Sequence, residues 1–341
     1  MLQWYFWDEQ IIQSMLLDLL FERKTRLKGL RKVLILAVCA SAGVMLGFKL
    51  KPKEVRPMNF VYVDMPNARE GRLSLLTYNI AGLPELISSA ETERASSITS
   101  IGELINSFDI VNVQEDFNYN KFLYSRNKHS YRTENMGGVP FGDGLSTLSK
   151  YPIQDFERVS WKDCNGSDCL TPKGFSYARI QLAKEVFIDV YNVHATAQDD
   201  PDATVARQKN LNQLKNYIRK HSAGQALLIM GDFNAHYAYT LDNIVSFQSE
   251  LALVDAWVNL KNNGEIPSHK QDFTARAALD LTDDCEGIDK IYYRNNNRIV
   301  FEAKDYQVQK HLFQNKAGQD LSDHCAVSLQ LGWRMITPFD Q

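Results

Sequence analysis

Apolar positions along this chain come in short bursts from residue 73 onward, and the bursts differ in period. Runs of strand length, rich in β-branched and aromatic residues, cover Leu73 to Asn79, Ile110 to Gln114, Leu145 to Ser149 and Ser176 to Leu182. Four more cover Val186 to Val193, Ala226 to Met230, Ile288 to Tyr293 and Ala326 to Leu331. Helical spacing takes over at Arg94 to Phe108, where Ile98, Ile101, Leu104, Ile105 and Phe108 share a face. It returns at Ala203 to His221, with Val205, Leu211, Leu214, Tyr217 and Ile218, and a third helix is predicted over Thr240 to Glu250. Many strands and few helices predict an α+β domain, about residues 71–335, with two sheets face to face and helices outside.

The region before this domain has a different pattern. Arg23, Lys24, Arg26, Lys28, Arg31 and Lys32 precede an apolar run, residues 33–48, that contains Ala40-Ser41-Ala42 and is followed by Lys49, Lys51 and Lys53. A basic flank, a short apolar stretch and small residues resemble a secretory signal, although the leader in front is long. At about 1.5 Å per residue the run is marginal for about 30 Å of hydrocarbon. A cleaved signal, an uncleaved anchor and a buried core helix are the three alternatives, with export the preferred one. Residues 1–32 form an N-terminal extension. Residues 49–70, with Pro52, Pro57 and Pro66, read as a linker. The domain is therefore expected outside the cytoplasm, whether secreted, periplasmic or membrane-anchored.

Charge narrows the partners. With 44% hydrophobic residues the chain can bury a sizeable core. The net charge of -3 hides an asymmetry, because residues 1–56 hold ten Lys and Arg against five Asp and Glu. The remainder is acidic by about eight charges, the wrong sign for gripping a polyanion, so nucleic acid is disfavoured. Cys164 and Cys169 flank Asn165-Gly166-Ser167-Asp168, a turn-forming loop short enough for a disulfide in an oxidising compartment; two reduced thiols are the alternative. Cys325 opens an apolar alternation and reads as a core residue rather than a nucleophile.

Candidate chemistry sits where the apolar runs end. Tyr78-Asn79, Gln114-Glu115, Asn192-Val193-His194, Gly231-Asp232-Phe233-Asn234, Gly287-Ile288-Asp289 and Ser322-Asp323-His324 each close or adjoin such a run. Taken singly, each has a plainer reading as a turn, a cap or a solvated acid. Together they supply hard oxygen ligands, amides and two histidines to the mouths of several strands, as metal-assisted attack on a phosphate ester requires. Asp232 and Asn234, two apart in an extended segment, are expected to point the same way. Asn79 and Glu115 suit a divalent ion, Mg²⁺ or a similar cation such as Mn²⁺. His324 beside Asp323 is a candidate general base made more basic by that acid, and His194 a donor to a phosphate oxygen.

These motifs, in this order over roughly residues 72–332, resemble the endonuclease/exonuclease/phosphatase superfamily, which includes DNase I, abasic-site endonucleases, inositol polyphosphate 5-phosphatases and neutral sphingomyelinases. The resemblance implies a four-layer αββα sandwich. It implies a metal site at Asn79 and Glu115, with Asp323 as the closing acid, and a phosphate-contacting His194. Asp232 and Asn234 would orient water and phosphate, Asp289 would support the base, and His324 would be that base.

Residues 142–153 and 173–180 look like segments of secreted bacterial neutral sphingomyelinases, which also carry export signals and a mid-domain disulfide. That likeness implies a phospholipid head group as substrate, a membrane surface as partner and a monomer. Some of those enzymes enter the membrane with an apolar hairpin tip just before the closing Asp-His. Leu312-Phe313 falls there, and core packing is its alternative. A nuclease or an inositol polyphosphate phosphatase remains an alternative, the latter needing basic clamps such as Arg126, Lys128, Arg132 and Lys173. A noncatalytic binder of phosphorylated ligands is the alternative of another class.

Overall fold

The computed structural model describes residues 63–134 and 142–336. The N-terminal extension, the apolar run and most of the linker lie outside them. Among the described residues no helix is long and apolar enough to cross a membrane.

Among the described residues twelve strands form two six-stranded sheets. In the first sheet lie β1 (Glu70–Asn79), β2 (Ile110–Gln114), β3 (Tyr131–Arg132), β4 (Ser146–Ser149), β11 (Ile299–Val308) and β12 (Val327–Met335), in the order β11-β12-β1-β2-β4-β3. The second holds β5 (Ile153–Ser160), β6 (Gly174–Ala183), β7 (Val186–His194), β8 (Leu227–Asp232), β9 (Val254–Asp255) and β10 (Asp289–Arg294), in the order β5-β6-β7-β8-β10-β9. β1 and β2 of the first sheet face β7, β8 and β10 of the second.

Helices cover the outer faces. α1 (Arg94–Leu104) and α2 (Asn120–Arg126) close the outer face of β1, β2 and β4: Ile98, Ile101, Ile105 and Leu123 pack on Leu76, Tyr78, Val111, Val113 and Leu148. On the second sheet, α3 (Pro201–His221) lays Tyr217 against Phe175, Tyr177 and Tyr191. α4 (Ile244–Glu250) packs against α3, and α5 (Ala256–Lys261) against β10 and β11. The architecture is the expected sandwich of two sheets between helices.

The differences from the expected elements have local causes. α1 stops at Leu104 and tightens into a 3₁₀ turn, Ile105–Ser107, because the chain must turn at Phe108 into β2. The third helix starts at Ile244, since Asp242 is bound by Arg207 and accepts the His236 backbone N–H, which holds the preceding residues in turns. β5 and β11 escaped the apolar pattern because both are sheet-edge strands with many exposed polar positions. Leu312 and Phe313 are not a tip: Phe313 is buried with its ring 4.6 Å from that of Tyr78, and Leu312 packs on the same cluster. Cys325 is buried, and burial pushes its thiol up to about 11, as befits a core residue.

Candidate active site

Strand direction decides where the motifs meet. β1 and β2 run parallel with Asn79 beside Gln114, and β7 and β8 run parallel with His194 beside Asp232. Antiparallel β10 begins at that same end, with Asp289 opposite Asp232. Antiparallel β12 pairs Val327 with Thr77, so the segment just before it, carrying Asp323 and His324, also lies there. Four strand ends and two strand beginnings thus fall on one edge.

Asp232 is the hub. Its Oδ1 accepts the Asn234 backbone N–H at 3.0 Å and its Oδ2 accepts the Asn79 amide at 3.2 Å. That same Oδ2 faces two imidazoles, 3.6 Å from His194 Nε2 and 3.9 Å from His324 Nε2. Asn79 also donates to Glu115 Oε1 at 3.2 Å, and His194 Nε2 is 3.9 Å from that oxygen. The structure brings Asn79, Glu115, His194, Asp232, Asn234, Asp289 and His324 into one neighbourhood, with Asp323 close enough to act electrostatically on Glu115 and His324.

Two details differ from the reading of the motifs by themselves, the first in the way the resemblance implies. His324 Nδ1 is held at 2.9 Å by Asp289 Oδ2 rather than by adjacent Asp323, whose Oδ1 accepts the Ser322 hydroxyl at 3.4 Å. Sequence neighbours at a strand entrance diverge, whereas Asp289 reaches the ring from the opposite sheet. Nor do Asp232 and Asn234 point alike, because Asn234 leaves the extended conformation at φ 48° and its amide donates to Ala195 O. Glu115 likewise sits at φ 59°. Left-handed backbone at two non-glycine site residues is the kind of local cost that clusters where geometry serves function.

Burial sets the electrostatics. Desolvation pushes the Glu115 and Asp232 carboxyls up, reinforced by Asp323 for the first and Asp289 for the second; Lys173 opposes both shifts. Desolvation, then Lys173, pushes His194 well below its ordinary range, so its ring is neutral, and neither ring nitrogen has a hydrogen-bond partner. For His324, burial alone would lower the ring, but the Asp289 charge and hydrogen bond outweigh it and the net shift is upward.

Acidic groups outnumber cationic ones here, and the oxygens are hard donors. The Glu115 and Asp323 carboxylates are donors of the kind a divalent cation such as Mg²⁺ or Mn²⁺ takes, while Asn79 meets Glu115 with its amide nitrogen and its oxygen accepts the Ala81 N–H. Asp232, Asp289 and His324 also bring ligand atoms within 4.8 Å of one another. The Asp289 bond to Nδ1 accounts for that closeness as a base and its orienting acid.

Two kinds of residue take roles that the sequence did not assign to them. Asn112 and Asn192 lie inside apolar strands, and each bonds across the gap between the sheets: Asn112 Nδ2 to Tyr191 O and Met230 O, Asn192 Nδ2 to Val113 O and Ser146 O. An amide in a buried strand must find partners, which is the signal that could have exposed them. Lys173 is the other. Its Nζ lies 3.0 Å from Asp168 Oδ1, in the loop closed by the Cys164–Cys169 disulfide, and its charge acts on the site. Arg126 and Lys128, by contrast, stand near Asn106, at the end of the sheet remote from the site.

A sphingomyelinase of Mycobacterium tuberculosis is 37% identical over 261 residues, covering 74% of this chain and 51% of that protein. The chain thus spans about half the length of the mycobacterial relatives it matches. Among solved structures, a mutant Staphylococcus aureus beta toxin with bound magnesium ions aligns with a TM-score of 0.54 at 17% identity, over 76% of this chain and 99% of that one. TDP2 of D. rerio complexed with a single-strand DNA product aligns with a TM-score of 0.55 at 14% identity, over 76% and 99%. At such identities these likenesses speak for the fold alone. The model of the Endonuclease/Exonuclease/phosphatase family matches residues 76–324, most of the chain, and to that family the chain belongs.

Proposed function

We propose that this chain is a divalent-cation-dependent phosphodiesterase that hydrolyses a phospholipid of the sphingomyelin type by in-line attack of water. What carries the reading is one buried carboxylate, Asp232, faced by Nε2 of two histidines, of which His324 is pinned through Nδ1 by Asp289. Glu115, Asp323 and Asn79 would hold the cation, which supplies Lewis-acid polarisation of a phosphate oxygen when bound. His324 accepts the water proton at Nε2, its free nitrogen, while Asp289 keeps the ring oriented and stabilises the imidazolium that forms. Asp232, fixed by Asn79 and Asn234, orients that water. Neutral His194 donates an N–H to the phosphate oxygen on which charge builds.

Support for a lipid substrate comes from the mycobacterial relative's name and the acidic body. The remote placement of Arg126 and Lys128 weighs against an inositol polyphosphate. The disulfide agrees with a site of action outside the cytoplasm.

The test offers sphingomyelin vesicles, plasmid DNA and inositol phosphates side by side with Mg²⁺, then with EDTA. Sphingomyelin is expected to be hydrolysed and EDTA to abolish turnover. His324→Ala should lower kcat by roughly 100-fold or more. Turnover that survives EDTA removes the mechanism, a preference for DNA reassigns the substrate, and inertness toward all three favours a binder.

A further inference from the structure

The loop after β1 ends in an apolar crown. Ile87 and Ser88 backbone N–H groups both bond Pro84 O, which folds residues 84–88 into a tight turn. On it Leu86 is 98% exposed and Ile87 58%. The base of the loop is rigid: the buried Arg94 guanidinium donates to Ile80 O, Ala81 O and Leu321 O. Gly82 lies so close to Glu115 that a Cβ there would sit 2.0 Å from its carbonyl oxygen. Leu170, 75% exposed, stands on the disulfide loop, which is tied through Asp168 to Lys173 and to the Ala197 N–H just past His194. Both apolar tips rise from the edge that carries the site. Singly exposed leucines are ordinary, but these sit on pinned loops beside a catalytic cleft.

Charge indicates the partner. Residues 81–93 contain Glu85, Glu91 and Glu93 and no Lys or Arg, which disfavours an anionic surface and suits one whose outermost groups are cationic. We infer that Leu86, Ile87 and Leu170 seat the cleft on a bilayer of zwitterionic choline phospholipid, in place of the buried Leu312-Phe313. This rests on the phosphodiesterase reading and adds to it the surface on which the enzyme works.

The test uses the full chain and phosphatidylcholine vesicles with brominated acyl chains. Tryptophan is placed at each tip (Leu86→Trp, Leu170→Trp), with Phe187→Trp as control, because Phe187 lies at the start of β7, remote from the site. Emission added by the two tip variants should shift to the blue and be quenched, and that of the control should not. Equal behaviour of all three, or no quenching, overturns the proposal and leaves the crown to a protein partner. In a second arm, Leu86→Ser with Ile87→Ser should reduce turnover of sphingomyelin in phosphatidylcholine vesicles at least about tenfold more than turnover of dispersed bis(p-nitrophenyl) phosphate. An equal loss on both substrates overturns it. No turnover by the parent on either substrate would sink the phosphodiesterase reading, while the quenching arm still decides the membrane surface.

Discussion

The two faces of β1 and β2 are made by the same short stretches of chain and do opposite things. Outward, Leu76, Tyr78, Val111 and Val113 meet Ile98 and Ile101 of α1 and Ile105 of the 3₁₀ turn after it in a wholly apolar layer. Inward, Asn79, Asn112 and Gln114 meet the other sheet through amides: Gln114 Nε2 donates to Asn192 Oδ1 at 2.7 Å, and Asn112 Nδ2 donates to Tyr191 O and Met230 O. Apolar contact is nondirectional and tolerates a slip, whereas buried amides lose heavily when their partners move. The outer face therefore supplies stability. The inner face fixes how one sheet is set on the other, and so the distance from Glu115 to His194.

The comparison breaks most visibly on its apolar side. Ile101→Ala should cost about 4 kcal/mol, read as a lower urea midpoint with unchanged slope, while kcat/KM of the folded protein changes little. A large loss of activity at full stability would show that the outer layer also sets the site.

Next in size is an effect that belongs to neither face. Burial, then Lys290, lowers the His236 ring to about 4. A base lowered from about 6.5 binds more protons unfolded than folded, so its contribution is complete above pH 6.5 and is lost as pH falls toward 4. His236 by itself should account for about 3 kcal/mol over that window, with neutral buried His194 acting in the same direction and the raised Asp232 and Glu115 carboxyls in the opposite one, so its share is read as the difference between parent and variant urea melts. His236→Asn should flatten the profile, and Ile101→Ala should leave its slope intact. A difference between parent and His236→Asn that does not change with pH would show that the ring is charged in the fold.

The smallest stability effect carries the most information. Asn192→Ala strips Gln114 of one of its two acceptors and two carbonyls of a donor, at a cost of about 2 kcal/mol. It should also reduce kcat/KM roughly tenfold by loosening the setting of Glu115 against His194. If activity falls no further than in Ile101→Ala, the amides are structural only and the two faces do not divide the work.

Much of this was legible in the chain. All eight predicted strands appear, each within a few residues, because buried strands need unbroken apolar runs. α1 and α3 followed from apolar spacing, and the disulfide from a short turn-forming loop. Edge strands β5 and β11 did not, since polar, exposed positions such as Asp155, Glu157, Glu302, Lys304 and Asp305 interrupt their apolar runs. Helix α5 was missed as well, being only Ala256–Lys261, too short to show a period. The residues that end apolar runs were visible as a set; the bonds that Asn112 and Asn192 make across the sheets from inside such runs were not.

By itself the sequence determined which segments are strands, which polar residues terminate them and in what order they come, because local sterics and burial act over a few residues. Only the tertiary structure decided that the ends of two parallel pairs and the beginnings of two antiparallel strands share one edge. It also decided between Asp289, which the family resemblance implied, and adjacent Asp323 as the partner of His324, and it put Leu86 rather than Phe313 in solvent. Those outcomes depend on strand direction and on which sheet lies opposite, which are long-range choices no local pattern encodes.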